Sequence, residues 1–197
     1  MKKGLLVTLV VLAVVLIGGC SAYKSFQNGL NASKQEVAAK WADVQNQYQR
    51  RSDLIGNLVA TVKGAAAHEQ NTLTAVIEAR AKATQITVNA DDLTPEKLQQ
   101  FQAAQGQLSQ ALGRLMVVSE QYPDLKANQN FLSLQDQLEG TENRIATSRK
   151  YYNDAVLVYN TKVTNFPASL VASSMGFKEK PTFEADAAAQ KAPKVEF

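Results

Sequence analysis

Apolar residues recur every three or four positions through most of this chain, and this pattern predicts helices rather than strands. The first seam of such positions consists of Val37, Trp41, Val44, Tyr48, Arg51, Ile55, Leu58 and Val62. The steps alternate between four and three, as in a heptad repeat, so we expect this face to pack against other helices. Ser33, with Glu36 three residues later, has the arrangement of a capping box and predicts where this helix begins.

Two more seams follow, each behind a start signal. Thr94 and Pro95 combine an N-cap residue with a proline at the first helical position. The seam behind them is Leu98, Phe101, Gln105, Leu108, Leu112, Leu115 and Ser119. Asn128 is expected to cap the last long helix, whose seam is Phe131, Leu134, Leu138, Thr141, Ile145, Ser148, Tyr152, Ala155 and Tyr159. We therefore predict an all-α fold, a long antiparallel bundle of three or four helices with coiled-coil-like packing.

An uncharged apolar run, Gly4–Gly19, precedes these seams. At about 1.5 Å per residue it spans roughly 24 Å, which is short of a hydrocarbon core of about 30 Å. Lys2 and Lys3 stand before the run and the only cysteine, Cys20, stands directly after it. A basic start, an apolar run and small residues at its end are typical of a secretory signal. The cysteine at that boundary resembles a bacterial lipobox, and the resemblance implies lipid attachment to Cys20.

An uncleaved single membrane span is the alternative for the N-terminus. Extending the apolar run through Tyr23 gives a helix long enough to cross a bilayer, with a tyrosine at the interface. We favour the lipid anchor, because the short run and the position of the sole cysteine both fit cleavage, and the span stays open. Under either interpretation Lys2 and Lys3 favour a cytoplasmic N-terminus. The chain is then membrane-anchored in the bacterial cell envelope, with its helical body on the non-cytoplasmic side.

Four segments follow from these patterns. Residues 1–19 are the signal peptide or membrane anchor, and residues 20–32 are a polar tether. Residues 33–177 form one helical bundle domain. Residues 178–197 are rich in Ala, Lys, Glu and Pro, and we expect them to be a mobile C-terminal tail.

Composition and charge exclude several kinds of protein. The 21 basic and 18 acidic residues are interleaved without a basic stripe, which argues against nucleic acid as a partner. His68 and Glu69 begin like a zinc-protease motif, but Thr72 stands where the second histidine belongs. The chain contains neither a glycine-rich phosphate loop behind a strand nor a nucleophile elbow. We expect no enzyme, no cofactor and no metal site.

One charged residue, Arg51, occupies a seam position. A buried guanidinium without a partner costs several kcal/mol, so we expect a carboxylate near it, and Glu120 and Glu142 are the candidates. We hypothesise that Arg51 pairs with Glu142 and fixes the register of the bundle. Arg51→Met should then destabilise only slightly and Glu142→Leu strongly. In the alternative, the stem of Arg51 packs while its head reaches the rim of the bundle.

Several motifs in order resemble the LemA family of bacterial membrane proteins. They are Arg50–Val59 (RRSDLIGNLV), Tyr122–Asn128 (YPDLKAN), Leu138–Ile145 (LEGTENRI) and the pairs Tyr152-Asn153, Tyr159-Asn160 and Phe166-Pro167. The chain departs from the family at Gly56, where proline is usual, at Gln27, where tyrosine is usual, and at Cys20. The resemblance implies a helical bundle on an N-terminal anchor. It implies no established activity, cofactor or substrate.

Two functions fit these observations. The first is an interaction or scaffolding module that holds a protein partner at the envelope. The second is a sensor with a polar pocket between helices, where Arg51, Glu142, Asn143 and Arg149 would receive an anionic ligand. The chain also ends with Val195 and Phe197 close to a free carboxylate, which a PDZ-type groove could capture.

Overall fold

The structure is a computed structural model that describes residues 2–65 and 69–184. Within these residues there is no strand, and the all-α prediction is confirmed. The helices are α1 Lys2–Ala65, α2 Gln70–Gln85, α3 Pro95–Ser119, α4 Pro123–Lys126, α5 Gln129–Thr164 and α6 Ala168–Ser174. A single 3₁₀ turn, Ala90–Asp92, lies between α2 and α3.

Two of the predicted helix starts are confirmed by their caps. The Thr94 hydroxyl accepts a hydrogen bond from the backbone N–H of Lys97 at 3.3 Å, so α3 begins at Pro95. The Asn128 side chain accepts from the backbone N–H of Asn130 at 2.9 Å at the start of α5. In both cases a short polar side chain satisfies an N–H that has no partner within the helix.

The predicted helix start at Ser33 is wrong. α1 runs without a break from Lys2, and the Ser33 hydroxyl donates to the Gly29 carbonyl at 2.8 Å, one turn earlier in the same helix. A serine hydroxyl can bond to the carbonyl four residues earlier inside a helix, or it can cap the start of a helix. The local sequence does not distinguish these two arrangements. Residues 20–32, the predicted polar tether, are therefore part of this helix, and Leu30 is already buried.

The N-terminal part of α1 is long and apolar enough to cross a membrane, judged by length and composition. Its large apolar side chains, from Leu6 to Ile17, are exposed in the structure. An apolar helix surface of this kind is stable in a lipid environment and unfavourable in water.

The body of the protein is built on the pairing of α1 with α5. The helices are antiparallel, because Lys162 near the end of α5 reaches the Gly29 carbonyl, whereas Glu142 earlier in α5 contacts Arg51. The helices α2 and α3 pack against each other, and α2 also packs on α1. α6 lies across both α1 and α5. Coiled-coil geometry in the strict sense stays a prediction.

Buried apolar side chains form three clusters along the bundle. The distal core lies farthest from the N-terminus of α1 and contains Ile55, Leu58, Val62, Val76, Leu108, Leu115 and Leu125 among others. The central core contains Val37, Trp41, Val44, Tyr48, Leu98, Phe101, Ile145, Tyr152, Tyr159 and Phe183 among others. The basal core consists of Leu30, Val171 and Ala172, with Phe26 packed beside them. Every predicted seam residue of α1 from Val37 to Val62 is buried.

Candidate functional site

Polar side chains separate the distal core from the central core. We call this set, Arg51, Gln105, Ser109 and Glu142, the polar layer. Arg51, Gln105 and Glu142 each lie between a residue of the central core and one of the distal core on their own helices, and Ser109 lies one turn after Gln105 on α3. On α1, for example, Arg51 stands between Tyr48 and Ile55.

Arg51 is the centre of the polar layer and is only 2% exposed. Its Nη1 donates to Glu142 Oε1 at 2.8 Å and to Ser109 Oγ at 3.2 Å, and its Nη2 donates to Gln105 Oε1. The guanidinium carbon lies 5.0 Å from the centre of the Tyr48 ring. The structure thus contains the Arg51–Glu142 ion pair that the seam positions suggested. The carboxylate of this pair is at the edge of the bundle, since the Glu142 side chain is 48% exposed.

A second arginine is held next to this layer. Arg80 on α2 donates from Nε to the carbonyl and to the hydroxyl of Ser52 at 2.8 and 3.0 Å. Its guanidinium covers Gly56, where an added Cβ would lie 3.4 Å from Arg80 Cζ. The helix continues through Gly56 without a break, and the missing side chain leaves room for the arginine.

Alanine at Gly56 should therefore stabilise the protein less than alanine at a glycine with free space. Gly113 on α3 is the matched case, because an added Cβ there meets nothing within 4 Å. We expect Gly113→Ala to raise the free energy of unfolding by about 1 kcal/mol through helix propensity. Gly56→Ala should give a smaller gain, since its methyl group would lie at the short limit of van der Waals contact with the Arg80 guanidinium. Urea unfolding of both variants tests this, and equal gains would contradict the close packing of Arg80.

Burial and charge act together on Tyr48, which borders the polar layer. Burial raises the pKa of its phenol, and the nearby Arg149 and Arg51 guanidinium groups offset part of that rise. Tyr48 is therefore neutral at physiological pH. The neutral Tyr48 hydroxyl therefore faces Arg51 and Arg149 as a dipole and adds no negative charge to the interior.

The four residues predicted to line a ligand pocket do not converge. Arg51 and Glu142 are in contact. Asn143 is exposed, outside the polar layer. Arg149 lies further along α5, with its guanidinium 4.6 Å from the centre of the Phe183 ring and Nη2 donating to the Glu184 carbonyl at 3.2 Å.

Two cavities adjoin the polar layer. One of about 160 Å³ lies between α1, α2 and α3, and its lining includes Tyr48, Ser52 and Gln105. The other is a groove of about 430 Å³ between α3 and α5, next to Ser109 and Glu142. Neither cavity is lined by all four predicted pocket residues. The described residues contain no group of three or more His, Cys, Asp or Glu side chains that could hold a metal ion.

The segment 178–184, the described part of the predicted mobile tail, is bound to the surface of α5. Asn153 pairs with Phe183, donating from Nδ2 to the backbone carbonyl at 3.0 Å and accepting from the backbone N–H at 2.9 Å. Asn160 pairs with Lys180 in the same two-bond manner at 2.9 Å. Each asparagine side chain thus makes the two backbone hydrogen bonds that a neighbouring β-strand would make with one residue of the extended segment.

Two tyrosines complete this arrangement, which we call the tail clamp. The hydroxyl of Tyr152 donates to the Pro181 carbonyl and that of Tyr159 to the Lys178 carbonyl, both at 2.9 Å. The two Tyr-Asn pairs are seven residues apart, so they lie on one face of α5. Sequence composition could not reveal this contact, because the polar segment gains its stability from side chains far away in the sequence.

The tail clamp predicts a dependence of stability on alkaline pH. Burial raises the pKa of Tyr152. A phenol that ionises more easily in the unfolded chain contributes stability that is complete below its unfolded pKa of about 10 and is lost as the pH rises further. Tyr152→Phe should lower the free energy of unfolding by about 1 kcal/mol at neutral pH, because one hydrogen bond is lost.

That deficit should shrink above pH 10, since phenylalanine has no proton to lose. Urea titrations of both proteins at neutral and at alkaline pH measure the two differences. Tyr48 and Tyr159, whose pKa values are also raised by burial, are unchanged in the comparison. A deficit that stays constant with pH would contradict a buried, neutral Tyr152.

Several predicted sites lie outside the described residues. They are the C-terminal recognition residues Val195 and Phe197 and the histidine His68. Within the described part, sequence reasoning missed Gln105 and Ser109 of the polar layer. Gln105 had a usable signal, because it stands on the seam of α3, where a polar residue needs a buried partner.

Comparison with known proteins decides the family. The sequence model of the LemA family matches residues 40–197, most of the chain. The chain belongs to the LemA family. The matched region of this LemA-family chain contains the polar layer and the tail clamp, and the resemblance noted from the motifs is confirmed.

Named relatives support the assignment. Magnetosome protein MamQ 1 of Paramagnetospirillum magneticum is 30% identical over 167 residues, which cover 76% of this chain and 61% of the relative. Magnetosome protein MamQ of Magnetospirillum gryphiswaldense is 28% identical over 161 residues, covering 73% and 59%. Protein LemA of Metamycoplasma hominis is 25% identical over 163 residues, covering 83% and 71%. This LemA-family chain thus spans about three fifths of the length of the MamQ relatives.

Proposed function

We propose that this LemA-family chain is a membrane-anchored interaction module without catalytic activity. It holds a rigid helical body at the bacterial cell envelope, on the non-cytoplasmic side, where the body binds a protein partner. The outer face of α5, with exposed apolar side chains between charged ones, is the observation that carries this proposal.

Tyr151 and Val158 form this face, which we call the α5 outer face. They stand seven residues apart on one side of α5 and are 53% and 48% exposed. Lys150 and Asp154 form an ion pair at 2.8 Å beside them. Interfaces for protein partners typically combine aromatic and apolar residues at the centre with a charged rim.

The hydrogen bonding within the polar layer also supports a surface function. Three of the five guanidinium hydrogens of Arg51 have partners within the polar layer. Gln105 and Ser109, which could otherwise bind a ligand, are occupied by the same arginine. Because these groups bond to one another, the polar layer keeps little unsatisfied hydrogen-bonding capacity for a small molecule.

Site-specific photocrosslinking in cells tests the proposal. A photoreactive amino acid at Val158 should capture the same protein in independent experiments. The matched control carries it at Glu78, an exposed position on α2. The capture at position 158 should be lost when Tyr151 is also replaced by Ser. Equal capture at both positions, or capture that ignores Tyr151, would count against the α5 outer face as the binding surface.

The nature of the anchor is a separate part of the proposal. Cys20 is exposed on α1, at the end of the apolar run. We expect cells that are fed a labelled fatty acid to label the wild-type chain and not Cys20→Ser. The lipidated wild type should also be shorter than Cys20→Ser by the apolar run, since cleavage precedes Cys20. Equal masses and no label would instead establish an uncleaved span.

The sensor function has one observation in its favour. The Nε of Arg51 is buried and has no hydrogen-bond partner in the described part of the chain. Arg149 lies further along α5, but its guanidinium and that of Arg51 both act on the Tyr48 hydroxyl, so an anion that entered beside Tyr48 would lie near both cations. Thermal-shift measurements with inorganic phosphate and with acetate, on wild type and on Arg149→Gln, test this function. A stabilisation that requires Arg149 would favour the sensor over the interaction module.

A further inference from the structure

The corner between α5 and α6 exposes apolar side chains to an unusual degree. Phe166 is 79% exposed and Leu170 is 65% exposed. Of the large apolar side chains that the structure describes beyond Lys24, Phe166 is the most exposed. Burying a side chain of this size stabilises a protein by about 1.5–3 kcal/mol, and this stabilisation is missing for each of the two side chains while they face water.

This corner lies at the end of the bundle that faces the N-terminal apolar helix. Val171 and Ala172 of α6 pack on Leu30 in the basal core, and Phe26 packs beside them. Phe26 is the first residue of α1 that the body partly covers, since residues 20–25 of the same helix are exposed. The basal end of the body therefore begins at the level of Phe26.

The level of Phe26 can be placed relative to a bilayer because α1 is one continuous helix. With a rise of about 1.5 Å per residue, Phe26 lies about 3 Å beyond Lys24 and about 9 Å beyond Cys20. Headgroup regions extend roughly 5–8 Å beyond the hydrocarbon core on each side. Whether the anchor is a span that ends near Lys24 or a lipid on Cys20, the basal end lies at the bilayer surface.

The charge of the basal end is also that of a lipid-binding surface. α1 has no acidic residue before Glu36, and the chain has none between Asp154 and Glu179. Lys24 lies exposed in the first of these stretches. Lys162 lies in the second, half-buried, with its ammonium donating to Ser33 Oγ at 2.5 Å. Bacterial membranes with anionic lipids attract such cations when these lie within a Debye length of the surface.

We propose that Phe166 and Leu170 insert into the boundary between headgroups and acyl chains of the membrane that holds the anchor. Aromatic side chains favour this depth, and apolar residues flanked by lysines are typical of interfacial contacts. The body is thereby held against the bilayer at two points, the anchor and the α5–α6 corner. This inference rests on the membrane anchoring in the proposed function, and it assigns a lipid surface as the occupant of the exposed corner.

Tryptophan fluorescence in vesicles tests the insertion. The full-length chain is reconstituted into vesicles of phosphatidylethanolamine and phosphatidylglycerol, with and without brominated acyl chains. The wild type is the blank, since its only tryptophan, Trp41, is buried. The added emission of Phe166→Trp should be blue-shifted and should fall by about half in brominated vesicles, as expected for a side chain a few ångströms below the headgroups.

Val117→Trp is the matched control. Val117 is 68% exposed and shares a groove with Thr72 at the distal end of the bundle. Its added emission should be that of tryptophan in water, with no quenching by bromine. Both substitutions affect exposed positions, so neither is expected to disturb folding.

The outcomes distinguish a failure of the inserted corner from a failure of the membrane anchoring. If vesicles carry the protein on flotation but the emission of Phe166→Trp is not quenched, the anchor holds and the inserted corner is wrong. If the protein does not float with vesicles at all, the proposed membrane anchoring itself fails, and the inserted corner fails with it. Equal quenching of Phe166→Trp and Val117→Trp would also overturn the inference, since it would show that the body contacts the bilayer without a preference for the α5–α6 corner.

Discussion

Trp41→Ala should lower the free energy of unfolding by about 3–5 kcal/mol, as large-to-small substitutions of buried aromatic residues do. Trp41 is 1% exposed and lies at the centre of the central core. Its ring centre is 5.5 Å from those of Phe101 and Tyr152 and 5.9 Å from that of Phe183. Its Nε1–H donates to the Val88 carbonyl at 2.8 Å. The substitution removes all these contacts at once.

Urea unfolding followed by circular dichroism measures this loss, because the variant lacks the only tryptophan. Trp41→Phe is the matched control. It retains most of the aromatic contact, and the Val88 carbonyl keeps a hydrogen bond from Gln45 at 3.1 Å. We expect the control to lose about 1–2 kcal/mol. A loss below 1 kcal/mol for Trp41→Ala would show that the central core does not depend on this ring.

Glu142→Leu should destabilise the protein by about 2–3 kcal/mol, because it leaves the buried Arg51 without its only carboxylate. The loss should fall below that for a fully buried pair, since half of the Glu142 side chain is exposed. Arg51→Met should cost about 1–2 kcal/mol, more than the sequence alone suggested. The reason is Gln105, which is 8% exposed and loses the donor to its side-chain oxygen.

The double variant distinguishes an ion pair from two independent contacts. With Arg51 already replaced, removing Glu142 should cost almost nothing, so the loss of the double variant should be smaller than the sum of the two single losses by about 2–3 kcal/mol. Asp154→Ala is the control, since its pair with Lys150 is exposed and should be worth less than about 0.5 kcal/mol. Additive losses at Arg51 and Glu142 would refute a coupled pair in the polar layer.

Helices and seams could be predicted here because they depend on local spacing. The seam from Val37 to Val62 required only a period of 3.6 residues, and Thr94 and Asn128 required only a cap next to it. Arg51 could be found for the same reason, as a charge at a position that the period buries. Glu142 could be suggested as its partner by sign of charge and by its place beside another seam.

Contacts between distant segments could not be predicted in this way. Asn153 and Asn160 bind the segment 178–184, and no local rule states which polar segment an asparagine on a helix surface will bind. Ser33 failed for a different reason. Ser33 and Glu36 have the spacing of a capping box, but the helix does not begin there. It begins in the N-terminal apolar run, which the sequence pattern predicts as a separate anchor, and continues through Ser33.

The unbroken course of α1 turns the anchor and the body into one rod. Its 64 residues measure about 96 Å, of which about 62 Å lie beyond Lys24. Membrane helices tilt by tens of degrees, and a change in tilt of about 10° would displace the far end of this rod by about 11 Å. If α1 is an uncleaved membrane span, bilayer thickness and curvature at the foot of the rod would therefore set the height and the lateral position that its tip can reach, while the packing inside the body stays unchanged.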